Sequence, residues 1–167
     1  MAFRVFVLTA SDAGWRGERE DKSGPCIEEM VAAAGYEVTG RALLPDDREA
    51  LAEKMREVCD KDLADLLLTT GGTGFSPRDI TPEATKTVIE RETPGIPEAM
   101  RAASMRITPR GCLSRSVAGI RGRSLIVNLP GSEKAAKENI LSVMDALMHG
   151  LDMLASSGSA NCAEAAK

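Results

Sequence analysis

A short apolar run leads directly into a glycine-rich loop in this chain, and this junction constrains the fold more than any other feature. Leu66-Leu67-Leu68 predicts a buried strand, and Thr70-Gly71-Gly72-Thr73-Gly74 follows it. Glycines let the backbone approach an anion closely and turn several N–H groups toward it. The next residues, 76–84, include Arg78, a planar cation, and Asp79, a possible metal ligand. The junction predicts a strand, a phosphate-binding loop and a helix start; a plain glycine-rich turn is the alternative.

Apolar strand-like segments alternate with amphipathic helical patterns along the 167 residues. The predicted strands are 3–9, 36–44, 65–70, 116–120 and 124–128. The predicted helices begin at Ser23, after Asp47, at Pro82, at Pro97 and after Ser132. The third ends at Arg91 and has Thr81 as its cap, and the fourth ends at about Arg106. A polar loop is predicted over 11–22. This alternation is typical of α/β proteins with a doubly wound, mostly parallel sheet between two layers of helices. We expect one domain over 1–154 and a disordered tail over 155–167.

The polar loops of such a fold gather at one edge, because ligands bind beyond the carboxyl ends of parallel strands. Four unusual loops follow predicted strands: Ser11-Asp12, Asp46-Asp47, 71–79 and 130–132. We therefore expect all four loops at a single site.

Two carboxylates in these loops suggest a Mg²⁺ site beside the phosphate loop. Mg²⁺ commonly binds through one or two carboxylates together with substrate phosphates. Asp46 and Asp79 are the candidates, with Asp47 as an adjacent alternative to Asp46. For Asp46 alone, a capping box with Glu49 is an equally good interpretation.

Helix starts at Ser132 and at Ser23-Gly24 offer further possible anion sites, with simple helix capping as the alternative. Arg115 and Arg123 flank the later strands, where arginines are most often solvated surface residues.

Several function classes are disfavoured. The net charge of −4 gives no general affinity for nucleic acid, and no stretch resembles a membrane span or signal peptide. Four scattered cysteines without a C-x-x-C pair favour reduced thiols in the cytoplasm over zinc or disulfides. The only histidine, His149, lies in the last helical pattern, so Ser-His-Asp or Cys-His catalysis is poorly supported. Neither a Walker A loop nor G-x-G-x-x-G occurs.

Five segments together resemble molybdopterin adenylyltransferases of the MogA type, within the MogA/MoaB molybdenum cofactor biosynthesis family. They are Ser11-Asp12 with Gly17, Asp21 and Ser23-Gly24-Pro25; residues 70–74 with 78–84; Pro94-Gly95 with 98–101; Leu113-Ser114-Arg115; and Asn128-Leu129-Pro130-Gly131-Ser132. The resemblance covers nearly the whole chain up to the tail.

The resemblance implies a reaction in which the terminal phosphate of molybdopterin attacks the α-phosphate of ATP with Mg²⁺ present. Adenylylated molybdopterin and pyrophosphate are the products. It implies that Asp46 and Asp79 are catalytic and hold Mg²⁺, and it implies a homotrimer that works with other molybdenum cofactor biosynthesis proteins. The residues it implies for binding molybdopterin and ATP are Ser11, Asp12, Asp21, Ser23, Gly24, Gly71, Gly72, Thr73, Gly74, Arg78, Thr81, Glu83, Arg115, Asn128, Pro130, Gly131 and Ser132.

Two other functions fit a fold of this kind. One is a non-catalytic, MoaB-like molybdopterin-binding protein, although the Arg78-Asp79 pair favours catalysis. The other is a nucleotide pyrophosphatase resembling a domain of the competence-damage-inducible proteins. Dependence on molybdopterin distinguishes the transferase from the pyrophosphatase.

Overall fold

The computed structural model describes residues 2–156. Its elements, in chain order, are β1 (Arg4–Ala10), α1 (Asp12–Trp15), α2 (Ser23–Ala33), β2 (Glu37–Leu44), α3 (Arg48–Asp60), β3 (Leu66–Thr70), α4 (Thr81–Lys86), β4 (Arg91–Glu92), α5 (Gly95–Ile107), a 3₁₀ turn (Pro109–Leu113), β5 (Ala118–Arg121), β6 (Ser124–Leu129) and α6 (Glu133–Ala155). The tail predicted over 155–167 lies outside the described residues except for its first two positions, and its disorder stays a prediction.

The six strands form one sheet in the order β2-β1-β3-β6-β5-β4. The four strands β2, β1, β3 and β6 are mutually parallel, and β5 and β4 are added antiparallel to their neighbours. This confirms the predicted doubly wound, mostly parallel α/β architecture. The carboxyl ends of the four parallel strands meet at one edge, as expected for the polar loops.

Helices cover both faces of the sheet because the central strands are apolar on both sides, as parallel strands buried between helices must be. On one face, Val7 of β1 and Leu68 of β3 pack with α2, α5 and α6. On the other face, Leu8 and Leu67 pack with α3 and α4. Every residue of β3 is buried, and this packing fixes the point at which the glycine loop begins.

Two predicted segments differ from the structure. The helix predicted over 82–91 ends at Lys86, and Arg91–Glu92 instead forms β4. The Glu90 amide donates to the Ile120 carbonyl at 2.8 Å, so pairing with β5, a distant segment, outweighs local helix preference. The polar loop predicted over 11–22 contains the one-turn helix α1, which Ser11 caps.

No helix among residues 2–156 combines the length and the apolar character needed to cross a membrane.

Candidate functional site

A cleft of about 840 Å³ opens at the carboxyl edge of β1, β2, β3 and β6. Nine of the residues predicted for the site line it: Ser11, Asp21, Ser23, Asp46, Gly71, Gly72, Asp79, Gly131 and Ser132. These residues come from four separate loops and from the start of α2. The edge of the sheet thus brings together side chains that are up to 121 positions apart in sequence (11 to 132).

The glycine loop turns where β3 meets the cleft, and it requires glycine at two positions. Gly71 has φ +95°, and a Cβ there would lie 2.3 Å from the Ala10 carbonyl oxygen. Gly72 has φ +67°, and a Cβ there would lie 2.3 Å from Oγ1 of Thr81 and 3.3 Å from Oδ1 of Asp46. The absence of side chains therefore lets the loop backbone pack against β1 while the carboxylate of Asp46 lies beside it.

Thr81 was expected to cap α4, and this expectation is wrong. The cap position is Ile80, and Thr81 is the first helical residue. Its buried hydroxyl donates to the Gly71 carbonyl at 2.9 Å, and its amide donates to the Gly72 carbonyl at 3.1 Å. Thr81 thus fixes the shape of the glycine loop through two hydrogen bonds to its backbone.

Asp46 and Asp12 hold the β1 and β2 loops together by reciprocal hydrogen bonds. The Asp12 amide donates to Oδ2 of Asp46 at 2.9 Å, and the Asp46 amide donates to Oδ1 of Asp12 at 3.0 Å. Arg78 completes this network, because its Nε and Nη2 donate to the two carboxylate oxygens of Asp12 at 2.8 and 3.0 Å. The network therefore links the glycine loop to the loops after β1 and β2.

The adjacent aspartates at the end of β2 have different tasks. Asp47 is the N-cap of α3, and its Oδ1 accepts from the Ala50 amide at 2.8 Å. The capping box proposed for Asp46 and Glu49 is therefore wrong, since the cap lies one residue later. Asp46 is left to face the cleft, and Asp47 does not line it.

Asp79 faces the same cleft from the far end of segment 71–79, which begins with the glycine loop. Its Oδ2 accepts from the Ser76 amide at 2.8 Å. A Cβ at Gly74 would lie 2.8 Å from that same oxygen, so the loop leaves room for the carboxylate. Within residues 2–156, no hydrogen bond reaches Oδ1 of Asp79 or Oδ1 of Asp46, so each aspartate retains an oxygen for a ligand.

The pKa values of Asp46 and Asp12 are shifted in opposite directions. Burial raises the pKa of Asp46; the Asp12 amide opposes this effect, and the charges of Asp12 and Asp79 add to it. The hydrogen bonds from Arg78 lower the pKa of Asp12. Asp46 therefore carries its negative charge at a cost that a bound cation would relieve.

The starts of α2 and α6 form two further walls of the cleft. At α2, the Asp21 carboxylate accepts from the Gly24 amide at 3.0 Å and from Oγ1 of Thr9 at 2.7 Å, so the protein itself fills part of this helix start. At α6, Ser132 is the N-cap as predicted, accepting from the Ala135 amide. The preceding loop lies against the glycine loop, with a Cβ at Gly131 meeting Gly71 Cα at 3.1 Å.

Other predicted binding residues lie outside the lining of the cleft. Asn128 is fully buried, and its amide group donates to the hydroxyls of Thr69 and Thr85, both at 2.9 Å. Thr73, within the glycine loop, is also buried. The remaining ones are Asp12, Gly24, Gly74, Arg78, Thr81, Glu83, Arg115 and Pro130, of which Asp12 and Arg78 join the network described above.

Sequence reasoning missed four charged residues that line the cleft, namely Arg19, Glu20, Lys22 and Glu133. Their only sequence signal was proximity to Asp21 or Ser132. With them, the part of the lining that the described chain supplies holds five carboxylates, from Glu20, Asp21, Asp46, Asp79 and Glu133, against two cations, from Arg19 and Lys22. A polyphosphate would enter this cleft favourably only with a cation to balance the charge.

Comparison with known proteins places this geometry in a family. Residues 6–149 match the family described as "Probable molybdopterin binding domain". A curated relative from Helicobacter pylori (strain J99), named molybdopterin adenylyltransferase, is 40% identical over 157 residues, which cover 90% of this chain and 86% of that protein. The molybdenum cofactor synthesis protein cinnamon from Drosophila melanogaster is 39% identical over 150 residues, but the chain spans only 25% of its length.

A solved structure is also similar over most of its length. The molybdopterin biosynthesis enzyme MoaB from Thermus thermophilus has a TM-score of 0.87 and 47% sequence identity, covering 91% of this chain and 96% of that one. These matches confirm the resemblance carried by the five motifs, and the chain belongs to the MogA/MoaB family of molybdenum cofactor biosynthesis proteins, whose shared domain is described as a probable molybdopterin binding domain.

Proposed function

We propose that this protein transfers AMP from ATP to the terminal phosphate of molybdopterin, giving adenylylated molybdopterin and pyrophosphate. The observation that carries the proposal is the placement of Asp46 and Asp79 at one cleft, each beside the glycine loop and each with an oxygen free of hydrogen bonds within residues 2–156. The names of the curated relatives that match most of the chain support it.

Mg²⁺ suits this pair of aspartates. It prefers oxygen ligands and commonly keeps only one or two carboxylates, with substrate phosphates and waters completing its shell. The excess of carboxylates in the cleft and the raised pKa of Asp46 both favour a bound cation. When bound, the ion would neutralise charge on the phosphates that react.

The chain's own residues would supply positioning and charge balance. The attacking group is already an anionic phosphate, so the reaction needs no general base, and no histidine is among the residues of 2–156 that line the cleft. The glycine loop would offer amides to one phosphate group, and the start of α6 at Ser132 would offer amides to another. Holding both substrates in line is the main contribution that such a transfer requires from a protein.

The test uses purified protein, ATP, Mg²⁺ and molybdopterin prepared without oxygen, with products separated by chromatography and pyrophosphate assayed. Omitting molybdopterin or ATP in parallel reactions separates the possible functions. Adenylylated molybdopterin that forms only in the complete mixture supports the transferase. Pyrophosphate or AMP released from ATP alone indicates a nucleotide pyrophosphatase, and molybdopterin binding without product indicates a binding protein.

The proposal includes a homotrimer in the cytoplasm that works with other molybdenum cofactor biosynthesis proteins. The family resemblance supports the trimer. Met105, Ile107 and Leu113 add support, because each is 46–55% exposed and such apolar surface is often covered in an assembly. Light scattering coupled to size exclusion gives the mass directly, and a stable monomer contradicts this part.

A further inference from the structure

Arg115 contacts the loop that carries Asp79 at several points. Its Nε donates to the Gly74 carbonyl at 2.7 Å, and its Nη2 donates to the Asp79 carbonyl at 2.5 Å. Its own amide donates to the Thr73 carbonyl at 3.0 Å. One residue therefore holds both ends of the segment from Thr73 to Asp79.

Glu83 at the start of α4 balances the charge of this arginine. The Nη1 group of Arg115 pairs with Oε1 of Glu83, and the other carboxylate oxygen is buried without a hydrogen-bond partner within residues 2–156. Burial raises the pKa of Glu83. The hydrogen bond from Arg115, a backbone hydrogen bond and the charges of Arg115 and Lys86 lower it, and together they bring the pKa below its ordinary value. Glu83 is therefore ionised at neutral pH, which fixes the guanidinium in place between α4 and the loop.

The position of Arg115 separates it from the cleft. The cleft that holds Asp46 and Asp79 is not lined by Arg115. Arg115 instead lines a smaller cavity of about 310 Å³, which has no lining residue in common with the cleft. Its contacts with Asp79 and Gly74 are to main-chain carbonyls, so it lies behind the loop.

We propose that Arg115 is a positioning residue that sets the placement of the Asp79 carboxylate through the loop backbone, and that it does not bind substrate phosphate itself. This inference rests on the proposed function, in which Asp79 holds the metal ion. A guanidinium suits the role because its N–H groups point in fixed directions within one plane and can reach two carbonyls and a carboxylate together. The ammonium of a lysine keeps the charge but not this geometry.

The kinetic test compares Arg115→Lys and Arg115→Ala with Arg123→Ala, a control that removes an exposed arginine from the β5–β6 turn. Misplacing a reacting group by about 1 Å can cost on the order of 100-fold. We expect kcat to fall about 10-fold in Arg115→Lys and about 100-fold in Arg115→Ala, with KM for ATP and molybdopterin changed less than about threefold. Arg123→Ala should match the wild type.

A second readout does not depend on turnover. Mn²⁺ binding in the presence of ATP, followed by electron paramagnetic resonance, should weaken about 10-fold in Arg115→Lys and similarly in Asp79→Asn. The double variant should lose less than about twofold more, because both changes act on the same ligand. Thermal unfolding checks that Arg115→Lys, the milder variant, remains folded.

The outcomes separate the two proposals. A raised KM for ATP with kcat retained in Arg115→Lys or Arg115→Ala overturns the inference, since it marks a phosphate ligand. Unchanged kcat and unchanged Mn²⁺ binding also overturn it. A wild-type protein that binds Mn²⁺ but forms no product contradicts the proposed function alone, and one that binds no Mn²⁺ contradicts both.

Discussion

Asp12 and Asp46 each receive the other's main-chain amide on a carboxylate oxygen, at 3.0 and 2.9 Å. This reciprocal pair joins the loops that follow β1 and β2, and Arg78 extends it to the glycine loop by pairing with Asp12. The free oxygen of Asp46 is thereby held at a fixed place in the cleft.

Asp46 and Asp47, neighbours at the end of β2, should differ strongly in how much their substitution lowers kcat. Asp46→Asn removes the proposed metal ligand, and we expect kcat to fall about 100-fold or more with a smaller change in KM for ATP. Asp47→Asn keeps a side-chain oxygen for the α3 cap and should leave kcat within about twofold, with stability changed by less than about 1 kcal/mol. Steady-state kinetics on the pair check this. A large loss of kcat in Asp47→Asn alone would show that the metal had been assigned to the wrong aspartate.

The raised pKa of Asp46 predicts that its charge opposes folding. A carboxyl whose pKa is higher in the folded state is disfavoured there when ionised, so the cost is present at neutral pH and disappears at pH values below its unfolded pKa of about 4. Without Mg²⁺, Asp46→Asn should therefore melt at a higher temperature than the wild type at pH 7, and the difference should shrink as pH falls toward 4. Calorimetry measures both. A lower melting temperature for the variant at pH 7 contradicts the electrostatic assignment.

Substitution by alanine should destabilise the protein far more at Gly71 than at Gly35, a glycine of similar conformation. Gly71 and Gly35 have φ of +95° and +92°, but only at Gly71 would a Cβ meet backbone, 2.3 Å from the Ala10 carbonyl. We expect Gly35→Ala to cost about 1–2 kcal/mol from left-handed strain alone, and Gly71→Ala to cost at least about 3 kcal/mol because the loop must also move. Urea unfolding of the two variants gives the comparison, and equal losses would show that the contact with β1 is unimportant.

Asn128 should affect stability more than substrate binding. It is fully buried, donates to Thr69 and Thr85, and its Oδ1 accepts from the Val117 amide at 3.2 Å. Asn128→Ala removes the partner of the Thr69 hydroxyl and of the Val117 amide, while Thr85 keeps its bond to the Thr81 carbonyl, and we expect a cost of about 2–4 kcal/mol. At a temperature where the variant is folded, KM for both substrates should stay within about twofold. A selective rise in KM with normal stability would return Asn128 to the substrate-binding residues.

The sequence predicted those features that depend on local pattern. The apolar runs of β1, β3 and β6 and the cap at Ser132 were visible because burial on both faces and helix capping leave signals within a few residues. The gathering of four loops at one edge followed from the parallel topology alone.

Features that depend on distant partners could not be predicted. The strand β4 consists of two residues, Arg91 and Glu92, and both are exposed. It forms because β5 lies beside it. Asp46 and Asp47 have the same capping chemistry, and only the folded structure shows that α3 begins at Arg48 with Asp47 as its cap. The side-chain contacts of Arg115 span 32 to 41 positions, so its sequence context resembled that of a surface arginine.

The formation of adenylylated molybdopterin by the wild type and by an Asp46→Asn, Asp79→Asn double variant, with ATP, Mg²⁺ and molybdopterin in both reactions, tests the central claim most directly. We predict that the wild type forms the product together with pyrophosphate, and that the folded double variant forms none above the uncatalysed background. Product formation by the double variant at a rate near that of the wild type would contradict the account, as would a wild type that binds molybdopterin and never adenylylates it.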